Sequence, residues 1–438
     1  MKRNAFESLK KWKNSGNRKP LILYGARQVG KTWLLKEFGQ AEYRQLVYLN
    51  FDDDKKLCNY FQKDLDTVRI IRALETLYNI KITASDTLII FDEIQECQRA
   101  KDSLKYFNEN APQYHIAAAG SFLGVAAGKF PVGQVNSLTL FPMTFYEFLV
   151  ALGREKLVKA IMDLEQPLLE SMSGLLIDML KAYFYVGGMP EAVNIYAESG
   201  NLAAVREQQN EILQNFKNDF SKHIHQSDIP KVRMLWDSIP VHLAREKKKF
   251  IYRDIKTGGR ASEFENAMDW LINTGLVYKV SRVLTPKLPL ARDQEREVFK
   301  LFMLDVGLLC AKANVDLAAF YEADAKIFDD FHGAMSEQYV CQALKAGNKN
   351  PLFYWGREKG AAELDFVMQH KNEIIPIEVK SEKHTQSKSL KFYMEEYKPK
   401  TAVRTSLKNL GSSGALHSIP LYMIESLESI IGQACKTP

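Results

Sequence analysis

The sequence predicts an α/β fold with several domains, in which a parallel sheet forms the N-terminal part of the chain. Continuous apolar runs at residues 21–24, 87–91 and 115–119 are typical of strands that are buried on both faces of such a sheet. Apolar residues at helical spacing separate these runs, which indicates a doubly wound arrangement. A glycine-rich loop also joins the first run to the following helix.

That loop, at residues 25–32, reads Gly-Ala-Arg-Gln-Val-Gly-Lys-Thr and fits the P-loop pattern. Glycines let backbone N–H groups converge on an anion, and the next helix adds its positive N-terminal end. We expect Lys31 to reach the β- and γ-phosphates of ATP and the Thr32 hydroxyl to ligate Mg²⁺. The predicted nucleotide-binding residues are Gly25, Ala26, Arg27, Gln28, Val29, Gly30, Lys31 and Thr32.

Two carboxylates end the second buried strand, where an ATPase places its acidic residues. We expect Asp92 to hold Mg²⁺ through water and Glu93 to polarise the attacking water. Ser121, which follows the third strand, is either a γ-phosphate contact or a turn residue. Arg27 either contacts phosphate or points away from it. The sequence does not rank Arg154 and Arg233 as candidates for an arginine supplied to a neighbouring subunit.

Size and composition narrow the class of protein. A chain of 438 residues is too long for one core, and its 46% hydrophobic and 26% charged residues argue against disorder. The net charge of +6 permits a local nucleic-acid patch without requiring one. The five cysteines are scattered along the chain, as is typical of proteins whose thiols stay reduced. The apolar segment at 175–186 contains charged residues, which argues for a buried helix and against a membrane span. We therefore expect a cytoplasmic protein without a membrane partner.

The middle of the chain changes from helices to a β-rich end. Residues 145–218 have helical spacing, interrupted by a tight turn at 187–190. Segments 251–255, 262–274 and 275–280 are interpreted as the β-rich end of a winged helix. The predicted domains are 1–150 (P-loop ATPase domain), 151–229 (helical region), 230–285 (winged helix) and 286–438 (C-terminal α/β domain).

Basic residues concentrate in and beside the predicted winged helix. Such a run either neutralises DNA phosphates or forms a solvated helical face. The run consists of Arg245, Lys247, Lys248, Lys249, Arg253, Lys256 and Arg260.

The C-terminal part predicts a hairpin that carries acidic residues. A turn at 370–372 puts Asp365 opposite Glu378, about 5 Å away on the adjacent antiparallel strand, and sends Lys380 to the same face. Glu337, on the preceding helix, is a further oxygen donor. Either a divalent cation bridges the acids and Lys380 stabilises charge during phosphodiester cleavage, or Lys380 neutralises a solvated face.

Motifs along nearly the whole chain resemble the prokaryotic AAA+-type (ASCE P-loop) ATPases with a restriction-endonuclease-like C-terminal domain of unassigned function. The matching segments are residues 25–32, 47–52, 91–93, 119–121, 140–148, 187–192 and 304–309. The aromatic strand at 354–357 also matches, whereas Ala361 and Ala362 stand where a glycine is common.

This resemblance implies an ASCE ATPase core, a winged-helix segment and a PD-(D/E)xK nuclease-like fold. The usual acids of that fold correspond to Glu337, Asp365 and Glu378, with Lys380 as its lysine, and members also occur as inactive binding modules. We expect an ATPase whose nucleotide state controls a module that acts on DNA. The alternative is an ATP-driven regulatory switch that binds DNA or a protein partner through a non-catalytic C-terminal docking domain. The candidate partners also include a second copy of the chain, as a homo-oligomer.

Overall fold

The computed structural model describes residues 1–120, 133–245, 248–316, 329–347, 350–358, 360, 362–380 and 387–434. The chain divides into two compact units, residues 1–141 with 273–275 and residues 142–272 with 276–438. None of the helices in these described ranges is long and apolar enough to cross a lipid bilayer.

Among the described residues of the first unit, five parallel strands form one sheet in the order β2-β3-β4-β1-β5. The predicted strands and helices are confirmed. The elements are α1 Ala5–Lys13, β1 Leu21–Tyr24, α2 Lys31–Glu42, β2 Gln45–Asn50, α3 Asn59–Gln62, α4 Thr67–Tyr78, β3 Thr87–Asp92, α5 Gln98–Asn110, β4 His115–Ala119 and β5 Asn136–Thr139.

Burial explains why this sheet forms. Every residue of β3 and β4 is buried, as the continuous apolar runs predict for strands covered on both faces. On one face, the rings of Phe51, Phe61 and Phe91 pack edge to face with centroids 5.5–5.8 Å apart. This packing holds the parallel strands, and with them the residues at their carboxyl ends, in fixed positions.

The second unit begins with a run of helices. They are α6 Phe145–Ala151, α7 Glu155–Met162, α8 Gln166–Ser171, α9 Ser173–Val186, α10 Pro190–Ser199, α11 Leu202–His223, α12 Ile229–Leu243 and α13 Ala261–Asn273. Helix α6 lies within the range predicted for the ATPase domain, yet Glu425 of the second unit accepts the Phe145 N–H at 2.6 Å. Because that carboxylate caps its first turn, α6 packs with the second unit.

A mixed sheet completes the second unit, with eight strands among the described residues in the order β12-β13-β11-β10-β9-β8-β6-β7. The elements are β6 Val277–Val283, β7 Gln294–Met303, α14 Val306–Lys312, α15 Asp329–Gly347, β8 Leu352–Gly356, β9 Glu363–His370, β10 Glu373–Val379, α16 Lys388–Tyr397, β11 Ala402–Ser406, β12 Gly411–Ser413, β13 Leu416–Pro420 and α17 Leu427–Ala434.

Two strand predictions for the middle region are wrong. Residues 262–274 lie almost entirely in α13, because Phe264, Met268 and Leu271 recur at helical spacing and are buried. The segment 251–255 contains the 3₁₀ turn Tyr252–Asp254 in place of a strand.

The strand predicted at residues 275–280 belongs to a larger sheet. Strand β6 pairs with β7 on one side and runs parallel to β8 on the other, with Ser281 opposite Phe353. The predicted boundary at residue 285 therefore falls between two paired strands of one sheet, and a separate winged helix is not confirmed.

Candidate functional site

The loop between β1 and α2 adopts the backbone that its glycines predict. Gly30, at φ 91°, and Gln28, at φ 65°, lie in the left-handed region. A Cβ added at Gly25, whose φ is 152°, would lie 2.4 Å from the Leu140 carbonyl oxygen. Glycine is therefore required at position 25 by both conformation and space.

Arg3 anchors this loop from outside the motif. Its guanidinium donates to the Val29 carbonyl oxygen at 2.9 Å and to the Phe141 carbonyl oxygen at 2.7 Å. Arg3 and Val29 are both buried, so the contact fixes the middle of the loop. No sequence pattern indicated this role, because the two residues are 26 positions apart.

Lys31 lies in the loop, with its ammonium group among backbone carbonyls. Its Nζ donates to the Gly25 oxygen at 3.0 Å and to the Ala26 oxygen at 2.8 Å. Burial lowers the pKa of Lys31 to about 8, although Glu93 and Asp92 act in the opposite direction. A phosphate would offer this cation a stronger acceptor than either carbonyl.

Thr32 and Asp92 meet at the carboxyl end of β3. The Thr32 hydroxyl donates to Asp92 Oδ2 at 2.7 Å, and the Tyr48 hydroxyl donates to the same oxygen at 2.8 Å. A hydroxyl beside a buried carboxylate is an oxygen donor set that suits Mg²⁺. Tyr48, on β2, was not predicted as a site residue.

Glu93 follows Asp92 in a left-handed conformation, at φ 47°. Its N–H donates to Asp92 Oδ1 at 3.1 Å, and the Gln95 side-chain amide donates to its carboxylate. The turn therefore points the carboxylates of Asp92 and Glu93 in different directions, as their separate roles beside the metal and the attacking water would require.

The remaining nucleotide-site residues stay predictions. Arg27 is partly buried, and its charge acts to lower the pKa of Lys31, although less than burial does. Ser121 lies outside the described residues. Arg154 and Arg233 are both exposed, so exposure does not rank them.

The predicted acidic cluster forms in the second unit. The β9–β10 register, with Phe366 opposite Ile377, puts Asp365 beside Glu378, and Asp365 Oδ2 accepts the Val379 N–H at 2.8 Å. Burial, together with the Glu337 and Glu378 carboxylates, raises the pKa of Asp365 well above its usual range.

Lys380 lies where the sequence predicted. Its Nζ is 2.8 Å from Glu378 Oε1, which also accepts from the Ser387 hydroxyl at 2.8 Å. The second oxygens of Glu378 and Glu337 are buried without a hydrogen-bond partner. The Glu378 oxygen is the feature that most favours a cation ligand here, because Lys300 lies 3.6 Å from the Glu337 oxygen.

Two lysines that were not assigned to this cluster complete it. Lys300, on β7, lies 2.8 Å from Glu363, 3.6 Å from Glu337 and 3.9 Å from Asp365, and its side chain is 2% exposed. Lys248 binds the other oxygen of Glu337. Burial acts to raise the pKa of Glu337, but the two lysines outweigh it and lower that pKa to about 2.

These lysines bear on the predicted metal site. Within the part of the chain that the structure describes, no group of three or more His, Cys, Asp or Glu side chains could hold a metal ion. Lys248 and Lys300 contact the oxygens of Glu337 that a metal would use. The cluster in this arrangement therefore does not fit a bound divalent cation.

The basic run is partly engaged with acids. Arg245 pairs with Asp254, Lys256 with Glu263 at 2.6 Å, and Lys248 with Glu337. Lys247 lies outside the described residues. The run is therefore less available for phosphates than its sequence indicates.

Three of the family motifs, at 140–148, 187–192 and 304–309, meet at Gly188. The Gly188 oxygen accepts the Met143 N–H at 2.6 Å, and its N–H donates to the buried Asp305 carboxylate at 2.7 Å. That carboxylate also accepts from the Leu308 N–H at 3.0 Å. A Cβ at Gly187 would lie 2.2 Å from Asp305 Oδ1, and one at Gly188 would lie 2.0 Å from the Met143 oxygen. These motifs therefore serve close packing inside the second unit.

Comparison with known families matches residues 17–149 to the AAA domain family. This part of the chain is therefore similar to AAA domains. The matched range contains all the strands of the first sheet and the residues from Gly25 to Glu93 described above. Residues 177–318 match a domain of unknown function (DUF8612), and residues 332–424 match another (DUF4143).

One curated relative is the uncharacterized protein MJ1637 of Methanocaldococcus jannaschii. It is 22% identical over 201 residues, which is 43% of this chain and 41% of that protein. The match thus spans less than half the length of the relative.

Solved structures similar to the chain include the Walker-type ATPase PABY2304 of Pyrococcus abyssi, at 14% identity and a TM-score of 0.45, covering 70% of this chain and 95% of that chain. The RuvB Holliday junction branch migration motor of Thermotoga maritima is 10% identical with a TM-score of 0.31, covering 65% and 90%. The Aeropyrum pernix ORC1 protein, solved in complex with DNA, is 12% identical with a TM-score of 0.28, covering 73% and 93%.

Proposed function

We propose that the chain binds ATP with Mg²⁺ and hydrolyses it in the AAA domain. The observation that carries this proposal is the convergence of Lys31, Thr32, Asp92 and Glu93 at the carboxyl edge of one parallel sheet. Mg²⁺, when bound with the nucleotide, supplies positive charge that offsets the phosphates.

The loop residues, Thr32 with Asp92, and Glu93 have different roles in phosphoryl transfer. The loop N–H groups and Lys31 bind the phosphates, because this buried ammonium group exchanges two neutral carbonyls for anionic oxygens. Thr32 and Asp92 present oxygens to the metal. Glu93, whose carboxylate is oriented by Gln95, accepts a hydrogen bond from the attacking water.

Substitution of Glu93 tests this assignment. In Glu93→Gln we expect ATP hydrolysis to fall by about a hundredfold or more, since general-base contributions are of that order, while ATP affinity is retained. Glu96→Gln, three residues away and exposed, is the matched control. Hydrolysis at the parental rate in Glu93→Gln would show that another group positions the water.

We propose further that nucleotide state controls the nuclease-like C-terminal module, which acts on DNA. The supporting observation is that Glu337, Asp365, Glu378 and Lys380 come together from a helix and two adjacent strands. One buried oxygen of Glu378 has no hydrogen-bond partner there. Phosphodiester cleavage would require Glu337 to be released from its lysines.

A second candidate function is a regulatory switch with a non-catalytic C-terminal domain that docks onto DNA, a protein partner or another copy. The observation that favours it is the neutralisation of the cluster by Lys248 and Lys300. Incubation of plasmid with Mg²⁺ or Mn²⁺, with and without ATP, separates the two. Nicking that is lost in Asp365→Ala supports cleavage, whereas no nicking by the parent supports the switch.

A further inference from the structure

Two cysteines of the first unit lie side by side, next to the turn that carries Glu93. Cys58 ends a 3₁₀ turn after β2, and Cys97 immediately precedes α5. The Cys58 Sγ is 3.9 Å from the carbonyl oxygen of Glu96, the residue bonded to Cys97, and the two thiols share a hydrogen bond. Both are free thiols in contact with the same hydrophobic core. They therefore have the proximity that a disulfide requires.

The two thiols differ in their access to solvent. Of the four cysteines that the structure describes, Cys58 is half-buried, whereas Cys97, Cys310 and Cys341 are buried. Burial, together with the Cys58 contact, raises the pKa of the Cys97 thiol to about 12. An oxidant that is dissolved in water therefore meets Cys58 first, and Cys97 is placed to react with the product.

Backbone hydrogen bonds connect Cys97 to Glu93 through a single 3₁₀ turn. The Cys97 N–H donates to the Ile94 oxygen at 3.1 Å, and the Glu96 N–H donates to the Glu93 oxygen at 2.9 Å. The side-chain amide of Gln95, inside this turn, donates to the Glu93 carboxylate. A displacement of Cys97 therefore also displaces the carboxylate that is proposed to orient the attacking water.

We propose that Cys58 and Cys97 form a reversible disulfide that slows ATP hydrolysis by displacing the turn that carries Glu93. This inference rests on the ATPase function proposed above and assigns its regulation. The new bond replaces a contact between two thiols and draws their segments together.

A peroxide is the class of oxidant that this step requires. The Cys58 sulfur attacks one oxygen of hydrogen peroxide, which breaks the O–O bond and gives a sulfenic acid and water. The Cys97 sulfur then attacks the Cys58 sulfur, and the hydroxyl group leaves as a second water. Two thiols lose two electrons and two protons in all, and a dithiol reverses the reaction by exchange.

Peroxide treatment of the full chain tests this proposal. We expect the oxidised parent to hydrolyse saturating ATP at least about tenfold more slowly, since misplacement of a catalytic group by about 1 Å can cost about a hundredfold. Its Kd for ATP, measured by calorimetry, should stay within about twofold of the reduced value, because neither cysteine lies in the loop at residues 25–32. Dithiothreitol should restore the rate, which it would not do for oxidised methionines.

Two variants and one direct measurement locate the effect. Cys58→Ser should hydrolyse ATP like the reduced parent and keep that rate in peroxide. Cys341→Ala, which removes a buried thiol of the second unit, is the control and should remain sensitive. In the oxidised parent, peptide mass spectrometry without reduction should find Cys58 linked to Cys97, in proportion to the activity lost. This measurement needs no variant and therefore holds even if Cys58→Ser folds poorly.

The outcomes separate this inference from the proposed function. Absence of the linked peptide, an unchanged rate in the linked protein, or equal inactivation of Cys58→Ser by peroxide would overturn the inference while ATP hydrolysis by the reduced parent still stood. A reduced parent that hydrolyses no ATP would refute the ATPase function, and the linked peptide would then still decide whether Cys58 and Cys97 are a modification site.

Discussion

The buried ammonium group of Lys31 predicts that ATP affinity depends on pH. Burial lowers its pKa to about 8, from 10.5, in the nucleotide-free chain. The phosphates of ATP favour the charged lysine, so the bound pKa lies higher. Binding above pH 8 therefore requires uptake of a proton.

The magnitude follows from the protonated fraction. A group with a pKa of about 8 is about 90% charged at pH 7 and about 9% charged at pH 9. We therefore expect the Kd for ATP, with Mg²⁺ in excess, to rise about tenfold between these pH values, which is about 1.4 kcal/mol. Proton uptake at pH 9 should approach one per ATP.

Calorimetric titration of ATP in two buffers of different ionisation enthalpy measures both the Kd and the number of protons taken up per ATP. Lys31→Arg is the control, because a guanidinium stays charged across this range and its affinity, whatever its value, should not change with pH. A parental Kd that is constant from pH 7 to pH 9, without proton uptake, would refute the reasoning.

Three further predictions concern the packing and electrostatics of the chain. Tyr48→Phe removes a 2.8 Å hydrogen bond to Asp92, so we expect ATP hydrolysis at saturating Mg²⁺ to fall about tenfold in a steady-state assay; an unchanged rate would contradict the role of Tyr48. Gly188→Ala puts a Cβ 2.0 Å from the Met143 oxygen and should lower the free energy of unfolding in urea by about 2–3 kcal/mol. The control, Gly174→Ala, puts its Cβ in open space on α9 and should change this free energy by less than about 1 kcal/mol. Equal effects of the two substitutions would argue against the clash. Burial raises the pKa of Glu425 to about 8 from 4.5, so its contribution to stability is full below pH 4.5 and is lost as the pH rises towards 8. Over this pH window, the free energy of unfolding in urea should fall by about 1.4 kcal/mol per pH unit more in the parent than in Glu425→Gln. Parallel pH profiles of the two proteins would contradict this prediction.

The sequence predicted those parts of the site that depend on local spacing. Lys31 and Thr32 are placed by a loop whose glycines can be read directly, and Asp92 by the end of a buried strand. Asp365 and Glu378 followed from one turn and the two-residue period of strands.

Contacts between distant segments could not be predicted in this way. Lys300 and Lys248 reach Glu337 from segments 37 and 89 residues earlier in the chain, and neither lies in one of the motifs that predicted the C-terminal domain. Tyr48 meets Asp92 only because β2 pairs with β3. The partners of such side chains depend on which distant segments the fold brings together, and one sequence does not reveal this by local patterns.

The strand prediction for residues 262–274 failed for a different reason. Its apolar residues at 264, 267, 268 and 271 follow a helical period, and that signal was present in the sequence. The expectation of a winged helix outweighed it. Strand β6 was placed in a different domain from β7 and β8, because its pairing with β8 joins segments about 70 residues apart.

Calorimetric titration of ATP with Mg²⁺ into the parent and Lys31→Ala, at pH 7, tests the central claim most directly. We predict a saturable heat in the parent, with one site per chain, and its loss in a folded Lys31→Ala. Absence of heat in the folded parent, or equal heats in the two proteins, would contradict the assignment of this loop as an ATP site.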